Sequence, residues 1–286
     1  MKTTYEPLKR RMPYRMALLF DRKGELPNKE VFYEKLRARG YEVEPDIATA
    51  KMWSFYLPEY TVDCDGAKCE PYQLLLTDYT EVKKSYGDEL SRGQFKRPDD
   101  GEMLDSCKWQ VFIGDFFSSA HPANMRAQIL SDWLEIALEL FPTCKCVWFE
   151  GSQNVMSAAD LRNNPYEGDL RIFHGAVKVR FFRILDTEDM VVDTLGLYVF
   201  GIPDVQFHFR GLNPDHVVGL AANVGIYQFC NNVPIENDET VDGLDADGSY
   251  RQDIRWKCQY EVSLFAPQRE VLDVNTGKFA AGIRDE

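Results

Sequence analysis

Three polar side chains between residues 193 and 209 could carry out acid–base chemistry. Asp193, Asp204 and His208 lie near one another in sequence, and a carboxylate that orients a histidine is a common arrangement for a general base. His174 is a second candidate base. No nucleophile elbow, paired-carboxylate motif or phosphate-binding loop accompanies these residues. The sequence therefore predicts at most a polar cleft, and we assign no catalytic residue.

Ordinary strand and turn structure also explains this pattern. Asp204 follows Pro203, and an aspartate after a proline is typical of a turn. On this interpretation Asp204 forms the turn, and His208 is an outward-facing strand residue. We favour this interpretation over the polar cleft.

The most acidic stretch of the chain precedes Gly248. Its carboxylates belong to Glu236, Asp238, Glu239, Asp242, Asp245 and Asp247. A calcium-binding loop does not fit, because taking Gly248 as the loop glycine puts Gly243 at the first ligand position and Ile254 at the last. A solvated acidic loop is the simplest interpretation. If the loop binds a partner, we expect its carboxylates to attract a basic protein and Tyr250 and Trp256 to anchor it.

Composition narrows the classes of function. The 286 residues carry a formal net charge of -13. A nucleic-acid-binding surface needs basic residues to neutralise phosphates, so we expect no nucleic-acid partner. No apolar run approaches the roughly 20 residues that span a bilayer, so we expect no membrane partner. Seven cysteines without framework spacing indicate reduced thiols and a cytoplasmic location. No motif indicates a cofactor or a metal ion, and we expect neither.

The elements that position these side chains meet at the corner formed by residues 201–204. Apolar residues recur on both sides of that corner, at Leu195, Leu197, Val199, Phe200, Val205, Phe207 and Phe209. This pattern predicts two buried strands, or one strand and its continuation. Gly201 and Pro203 interrupt the run, since proline lacks a backbone donor and restricts the residue before it.

Strands and helices surround this central stretch. We predict strands over residues 15–20, 41–43, 53–57, 72–76, 109–113, 144–149, 173–177, 179–185 and 255–274. We predict helices from Pro27 to Gly40, from Pro122 to Pro142, around 156–162, and from Asn213-Pro214-Asp215 to Asn232. The polar stretch 78–106 is predicted to be a long surface connection.

The predicted fold class is α+β, with mixed, mostly antiparallel sheets and helices packed on one face. We place the two sections at residues 1–105 and 106–286. The sequence leaves open whether these sections are related to each other and whether they share one core.

Three motifs resemble the bacterial domain-of-unknown-function family 4261. They are Asp193-Thr-Leu-Gly-Leu, Gly201-Ile-Pro-Asp204 and the helix that begins at Asn213-Pro214. In that family a Thr-x-Gly-Leu run leads through a short apolar strand to a Gly-Leu-Pro-Glu or similar corner, and then to a helix beginning near a proline. The resemblance covers roughly residues 105–275, and loosely the first strand and helix.

The resemblance implies an accessory protein of bacterial toxin and secretion neighbourhoods, such as those of type VI secretion. Immunity proteins in such settings are often acidic α+β folds, and the family offers no catalytic residue to carry over. We therefore expect a non-enzymatic cytoplasmic binding protein, most concretely an immunity protein that neutralises a cognate basic toxin or secreted effector. The alternatives are a hydrolase with a His/Asp site and an adaptor subunit of a secretion system. The sequence does not predict an oligomeric state.

Overall fold

The structure is a computed structural model that describes most of the chain. The described residues are 13–45, 52–61, 63–64, 67–68, 72–91, 99–116, 118, 121–232 and 235–282. They divide into two compact units, the first ending at Ala176 and the second beginning at Val177. Each unit contains its own large sheet.

The first unit is organised around an antiparallel sheet. Its strands are β1 (Arg15–Phe20), β2 (Glu44–Pro45), β3 (Met52–Leu57), β4 (Asp63–Cys64), β5 (Ala67–Lys68), β6 (Tyr72–Thr77), β7 (Thr80–Glu81), β8 (Trp109–Phe116), β9 (Cys146–Phe149) and β10 (Asn154–Ser157). The sheet has the order β10-β9-β1-β8-β6-β3-β2, with β7 also beside β8, whereas β4 and β5 pair separately. β1 is fully buried beyond its first residue, as expected for a central strand covered on both faces.

Six α-helices belong to the described residues of this unit. They are α1 (Lys29–Ala38), α2 (Tyr86–Ser91), α3 (Asp100–Ser106), α4 (Ala123–Leu140), α5 (Ala158–Arg162) and α6 (Leu170–Ala176). Tyr86 and Leu104 pack with Ala17 and Leu19 of β1 in one buried cluster. The stretch predicted as a surface connection therefore contains two helices that cover part of the core.

The predicted strand over 173–177 is wrong, because residues 173–176 belong to α6. Ile172, Phe173 and Ala176 are buried at helical spacing. Gly175 lies against Phe149, where an added Cβ would be 2.2 Å from the ring. A short apolar run does not by itself distinguish a strand from a buried helix. In the structure the buried residues of this run follow the helical period.

The second unit contains a six-stranded sheet and one long helix. Its elements are β11 (Lys178–Arg183), β12 (Met190–Leu195), β13 (Asp204–Phe209), α7 (Pro214–Asn231), β14 (Thr240–Leu244), β15 (Tyr250–Val262) and β16 (Glu270–Val274). The strand order is β11-β12-β13-β16-β15-β14. β13 and β16 are parallel, and the other neighbours are antiparallel.

Helix α7 begins and ends where the sequence predicts. The Asn213 side chain accepts the N–H of Asp215 at 3.0 Å, and Pro214 occupies the first turn. Asn232 ends the helix in the left-handed conformation, with φ of 49°. The helix packs against β11, β12 and β13, so it covers one face of this sheet.

The corner after β12 differs from the prediction. Leu197–Phe200 form a 3₁₀ turn and not a strand. Gly196 and Gly201 flank the turn with φ of 132° and 77°, values that glycine adopts readily. The apolar side chains of this turn are buried without alternating, which explains why the run resembled a strand.

The α+β fold class, with mixed and mostly antiparallel sheets, is confirmed. The division between the compact units lies near residue 177, whereas we expected a boundary between 105 and 106. The physical reason is that β8, which follows residue 106, pairs with β1 and β6. That strand therefore completes the first sheet.

Candidate functional site

Four charged side chains form a buried cluster in the second unit. Arg180, Asp193, Asp204 and Arg269 are each at most 4% exposed. Arg180 stands opposite Asp193 in the β11–β12 ladder. Its Nε lies 2.8 Å from Asp193 Oδ1 and its Nη2 2.6 Å from Oδ2. This two-point geometry is the strong form of an arginine–carboxylate pair.

Arg269 connects the two aspartates of the cluster. Its Nη2 lies 2.8 Å from Asp193 Oδ2, and its Nε lies 2.8 Å from Asp204 Oδ2. Its remaining N–H groups donate to the backbone carbonyls of Thr194, Phe265 and Pro267. The side chain therefore fixes the loop before β16 to β12 and β13.

Asp204 is the first residue of β13 and is completely buried, which corrects the interpretation of this residue as a turn former. Its carboxylate accepts the Thr194 hydroxyl at 2.9 Å and the N–H groups of Gly196 and Leu197 at 3.3 and 3.1 Å. Burial raises the pKa of the Asp204 carboxyl, and the Arg269 guanidinium opposes that rise. Asp204 holds the adjacent 3₁₀ turn in place.

The hydrogen bonds of this cluster favour a structural role. Asp193 accepts three hydrogen bonds from two arginines, and Asp204 accepts four. Such occupied carboxylates leave little capacity to accept a proton from a substrate. We therefore interpret the cluster as a clamp between strands.

Each candidate histidine contacts a side chain outside this cluster. His208 is four residues beyond Asp204 on the same strand, a separation of roughly 13 Å. Its Nε2 lies 3.5 Å from Asp189. His174 stacks on Tyr166 with ring centroids 4.1 Å apart, and burial lowers its pKa. In the β12–β13 ladder Asp193 stands opposite Gln206, two residues before His208, and a cleft shared by Asp193, Asp204 and His208 stays a prediction.

The acidic stretch lies around β14, and β15 supplies cations to it. Arg255 contacts Asp242, and Lys257 lies 2.5 Å from Asp238. A third pair joins Arg251 to Asp245, 3.6 Å apart. Residues 235–257 nevertheless contain seven carboxylates against three cations, so this surface keeps an excess of negative charge.

The turn between β14 and β15 is internally bonded. Asp245 Oδ1 accepts the N–H groups of Asp247 and Ser249, each at 3.2 Å. Hydrogen bonding with Asp245 lowers the pKa of Asp247 to about 2. Gly248, with φ of 88°, lies directly against the His216 ring of α7. The turn is thereby positioned beside the start of α7.

A groove of about 690 Å³ lies between α7 and the β14–β15 hairpin. It is lined by Leu220, Asn223, Val224, Tyr227, Ile235, Asp238, Glu239, Thr240, Val241, Asp242, Tyr250 and Arg255. Tyr227 and Tyr250 are 57% and 54% exposed. Asn223 Nδ2 donates to Tyr250 Oη at 2.9 Å. The groove thus combines two exposed aromatic rings with carboxylates on its sheet side.

Tyr250 and Trp256, which we expected to act together as anchors, occupy different environments. Trp256 is 3% exposed and packs near Phe207 and Gly243. Tyr250 borders the groove. Trp256 therefore belongs to the core, and we leave it out of the candidate surface.

The contribution of α7 to this groove is not evident from the sequence. Leu220, Val224 and Tyr227 recur at helical spacing, a pattern typical of an apolar stripe that faces the core. The first two are buried, but Tyr227 is mostly exposed. The position of Tyr227 in the last turns of α7 could have indicated this exposure, because the apolar face of a helix can extend beyond the core near its end.

The first unit contains a comparable buried pair. Arg126 Nε lies 2.5 Å from Asp115 Oδ2, and both side chains are fully buried. The Tyr72 hydroxyl donates to the same carboxylate at 2.8 Å. This pair joins α4 to β6 and β8, which again favours a structural role.

Residues 193–275 match the model of a family described as Domain of unknown function (DUF4261). This match supports the family resemblance for the segment from β12 to just after β16, while the expected extent had begun near residue 105. No curated protein and no solved structure matched the chain. Among the described residues, no helix is long and apolar enough to cross a membrane.

Proposed function

We propose that this chain is a non-enzymatic binding protein that captures a basic partner protein in the groove between α7 and β14–β15. The observation that carries the proposal is the pairing of exposed Tyr227 and Tyr250 with the carboxylates of Asp238, Glu239 and Asp242 around one concavity. Tyrosines are frequent anchors of protein interfaces. Surrounding carboxylates favour a partner of opposite charge.

The surface ion pairs between β15 and the acidic residues do not prevent a basic partner from binding there. Asp238 and Lys257 have side chains 75% and 51% exposed, and exposed pairs contribute only about 0–1 kcal/mol. A lysine or arginine of the partner can therefore share or replace such a contact at little cost. Glu239 adds a carboxylate on the same rim.

The competing hydrolase hypothesis has weaker support. It requires a histidine near Asp193 or Asp204, and both aspartates are bonded to arginine. His208 contacts Asp189. This His–Asp pair is the most specific observation in favour of catalysis.

The finer proposal is that the partner is a cognate bacterial toxin or secreted effector and that the chain is its immunity protein in the cytoplasm. It rests on the family resemblance and on the acidic groove together. Binding that covers a toxin's basic surface would neutralise it without any chemical step. An adaptor of a secretion system would use the same groove but would not protect cells.

The test combines affinity capture with a matched charge reversal. Tagged wild-type protein, Glu239→Lys and the control Glu188→Lys are used to capture proteins from lysate of the encoding organism at 50 and 500 mM salt. Glu188 is exposed and lies outside the groove. We expect one stoichiometric basic protein with wild type and Glu188→Lys, and much less with Glu239→Lys or at high salt.

Expressing the captured protein in cells then tests the immunity role. Growth arrest that co-expressed wild type relieves, and Glu239→Lys does not, would support it. A captured protein that harms no cell would favour the adaptor. No captured partner, or equal capture by Glu239→Lys, would contradict binding at this groove.

A further inference from the structure

β14 forms one edge of the second sheet. Within the described part of the chain, its strand neighbour is β15 alone. An edge strand exposes backbone N–H and C=O groups that can pair with another strand. The edge of β14 is therefore a place where an extended segment can add to the sheet.

The pairing with β15 shows which backbone groups are used. The N–H of Cys258 donates to the carbonyl of Glu239 at 2.8 Å, and Val241 stands opposite Trp256. Hydrogen-bonded residues alternate along an antiparallel pair. Val241 therefore bonds to β15, and the two residues that flank it direct their backbone groups away from β15.

Those two residues are Thr240 and Asp242. Lys257, which stands opposite Thr240, accepts the N–H of Asn275 at 2.8 Å, on the β16 side of β15. This contact is consistent with the alternation. Both Thr240 and Asp242 also line the groove beside α7, so the open edge and the groove coincide.

β14 offers a short edge to an extended segment, with a register irregularity between Asp242 and Gly243. β14 has five residues, which span roughly 17 Å. Leu220 and Val224 of α7 form the opposite wall. A groove between a helix and an edge strand is one arrangement in which proteins bind peptides by strand addition.

We propose that the groove binds an extended, lysine- or arginine-rich segment of the partner as an added strand on β14. This inference rests on the proposed function, since it specifies how the basic partner binds. Backbone hydrogen bonds to Thr240 and Asp242 hold the segment, and the neighbouring carboxylates select cationic side chains. The same carboxylates repel the edge of a second copy of this chain, which makes a cationic segment the fitting occupant.

The experiment uses three fluorescein-labelled heptapeptides and the full-length protein. The parent peptide alternates lysine and threonine, beginning and ending with lysine. One control is N-methylated at the lysines and the other at the threonines. Because an added strand bonds through alternate residues, one methylated peptide loses the N–H groups that face β14 and the other keeps them.

Fluorescence anisotropy at 50 mM salt measures binding, and hydrogen exchange measures protection of the Thr240 and Asp242 amides. We expect the parent peptide to protect both amides and one methylated peptide to bind roughly tenfold or more weakly than the other. Equal binding of all three peptides, without protection, would overturn strand addition and leave acidic capture standing. Absence of binding by all three would overturn both proposals.

Discussion

The guanidinium of Arg269 reaches Asp204 across 65 positions of sequence, with Nε 2.8 Å from Oδ2 and both side chains buried. This pair joins the loop before β16 to the start of β13. It also places Arg269 against Asp193, so a single side chain connects two strands.

Replacing Arg269 should destabilise the second unit. We expect Arg269→Met to lower the free energy of unfolding by about 3–5 kcal/mol, because the buried Asp204 loses its arginine partner while Asp193 retains Arg180. Urea unfolding followed by tryptophan fluorescence measures the change. The control Arg183→Met, at an exposed position of β11, should stay within about 0.5 kcal/mol of wild type. Equal losses of stability in Arg269→Met and Arg183→Met would show that the buried ion pairs of Arg269 do not stabilise the fold.

The stability of the protein should depend on the ionisation of Glu270. This side chain is 8% exposed, and no described residue donates to Oε1. Burial raises the pKa of Glu270 to about 7, above its ordinary value of about 4.3. Its contribution to stability is therefore fully present below about pH 4.3 and is lost as the pH rises through about 7.

Glu270→Gln should remove this pH dependence. We expect the variant to gain about 1–2 kcal/mol over wild type at pH 8 and to show no such gain at pH 4.5. Thermal unfolding at a series of pH values measures the difference between the two proteins. A difference that stays constant across the series would contradict the assigned pKa.

Two helical glycines should respond to alanine in opposite directions. Gly219 of α7 is exposed, and apart from its chain neighbours and the adjacent helix backbone no described atom lies within 4 Å of an added Cβ. Gly219→Ala should stabilise by about 0.5–1 kcal/mol through helix propensity. Gly175→Ala should destabilise by about 1–3 kcal/mol, because its Cβ would overlap the Phe149 ring. Melting temperatures of both variants check the signs, and a shift of the same sign in both would contradict the packing of α6.

Tyr250 and Trp256 should separate binding from stability. Trp256→Ala should cost about 3–5 kcal/mol of folding free energy, as expected for a buried indole. Tyr250→Ala should leave the fold nearly unchanged and weaken partner binding by roughly tenfold or more. Denaturation curves and the capture assay measure the two effects, with Leu185→Ala as a control that is 87% exposed outside the groove. Loss of binding with Leu185→Ala would argue against the groove.

Local signals predicted much of the fold. The Asn213-Pro214-Asp215 cap marks the start of α7. The alternating apolar residues Val205, Phe207 and Phe209 lie in strand β13, as predicted, and are buried. The turn Leu197–Phe200 was missed because a buried 3₁₀ turn needs the same apolar residues as a strand. Its two flanking glycines were the better guide.

The site was less predictable because its contacts are distant in sequence. Asp193 and Arg180 could have been paired as neighbours of one hairpin, but nothing local marks Arg269 as the partner of Asp204. The acidic rim was visible from charge density. The opposite wall on α7 was not visible, because the sequence does not show whether an aromatic residue such as Tyr227 faces the core or the solvent.

Site-specific photocrosslinking in living cells tests whether a basic partner binds in the groove between α7 and β14–β15. Tyr250, Tyr227 and, as a control, Leu185 are replaced one at a time with p-benzoylphenylalanine, and irradiated adducts are identified by mass spectrometry. We expect one basic protein to be attached at positions 250 and 227 and to be absent at 185. Adducts of equal yield at all three positions, or none at the two groove positions, would contradict binding in the groove.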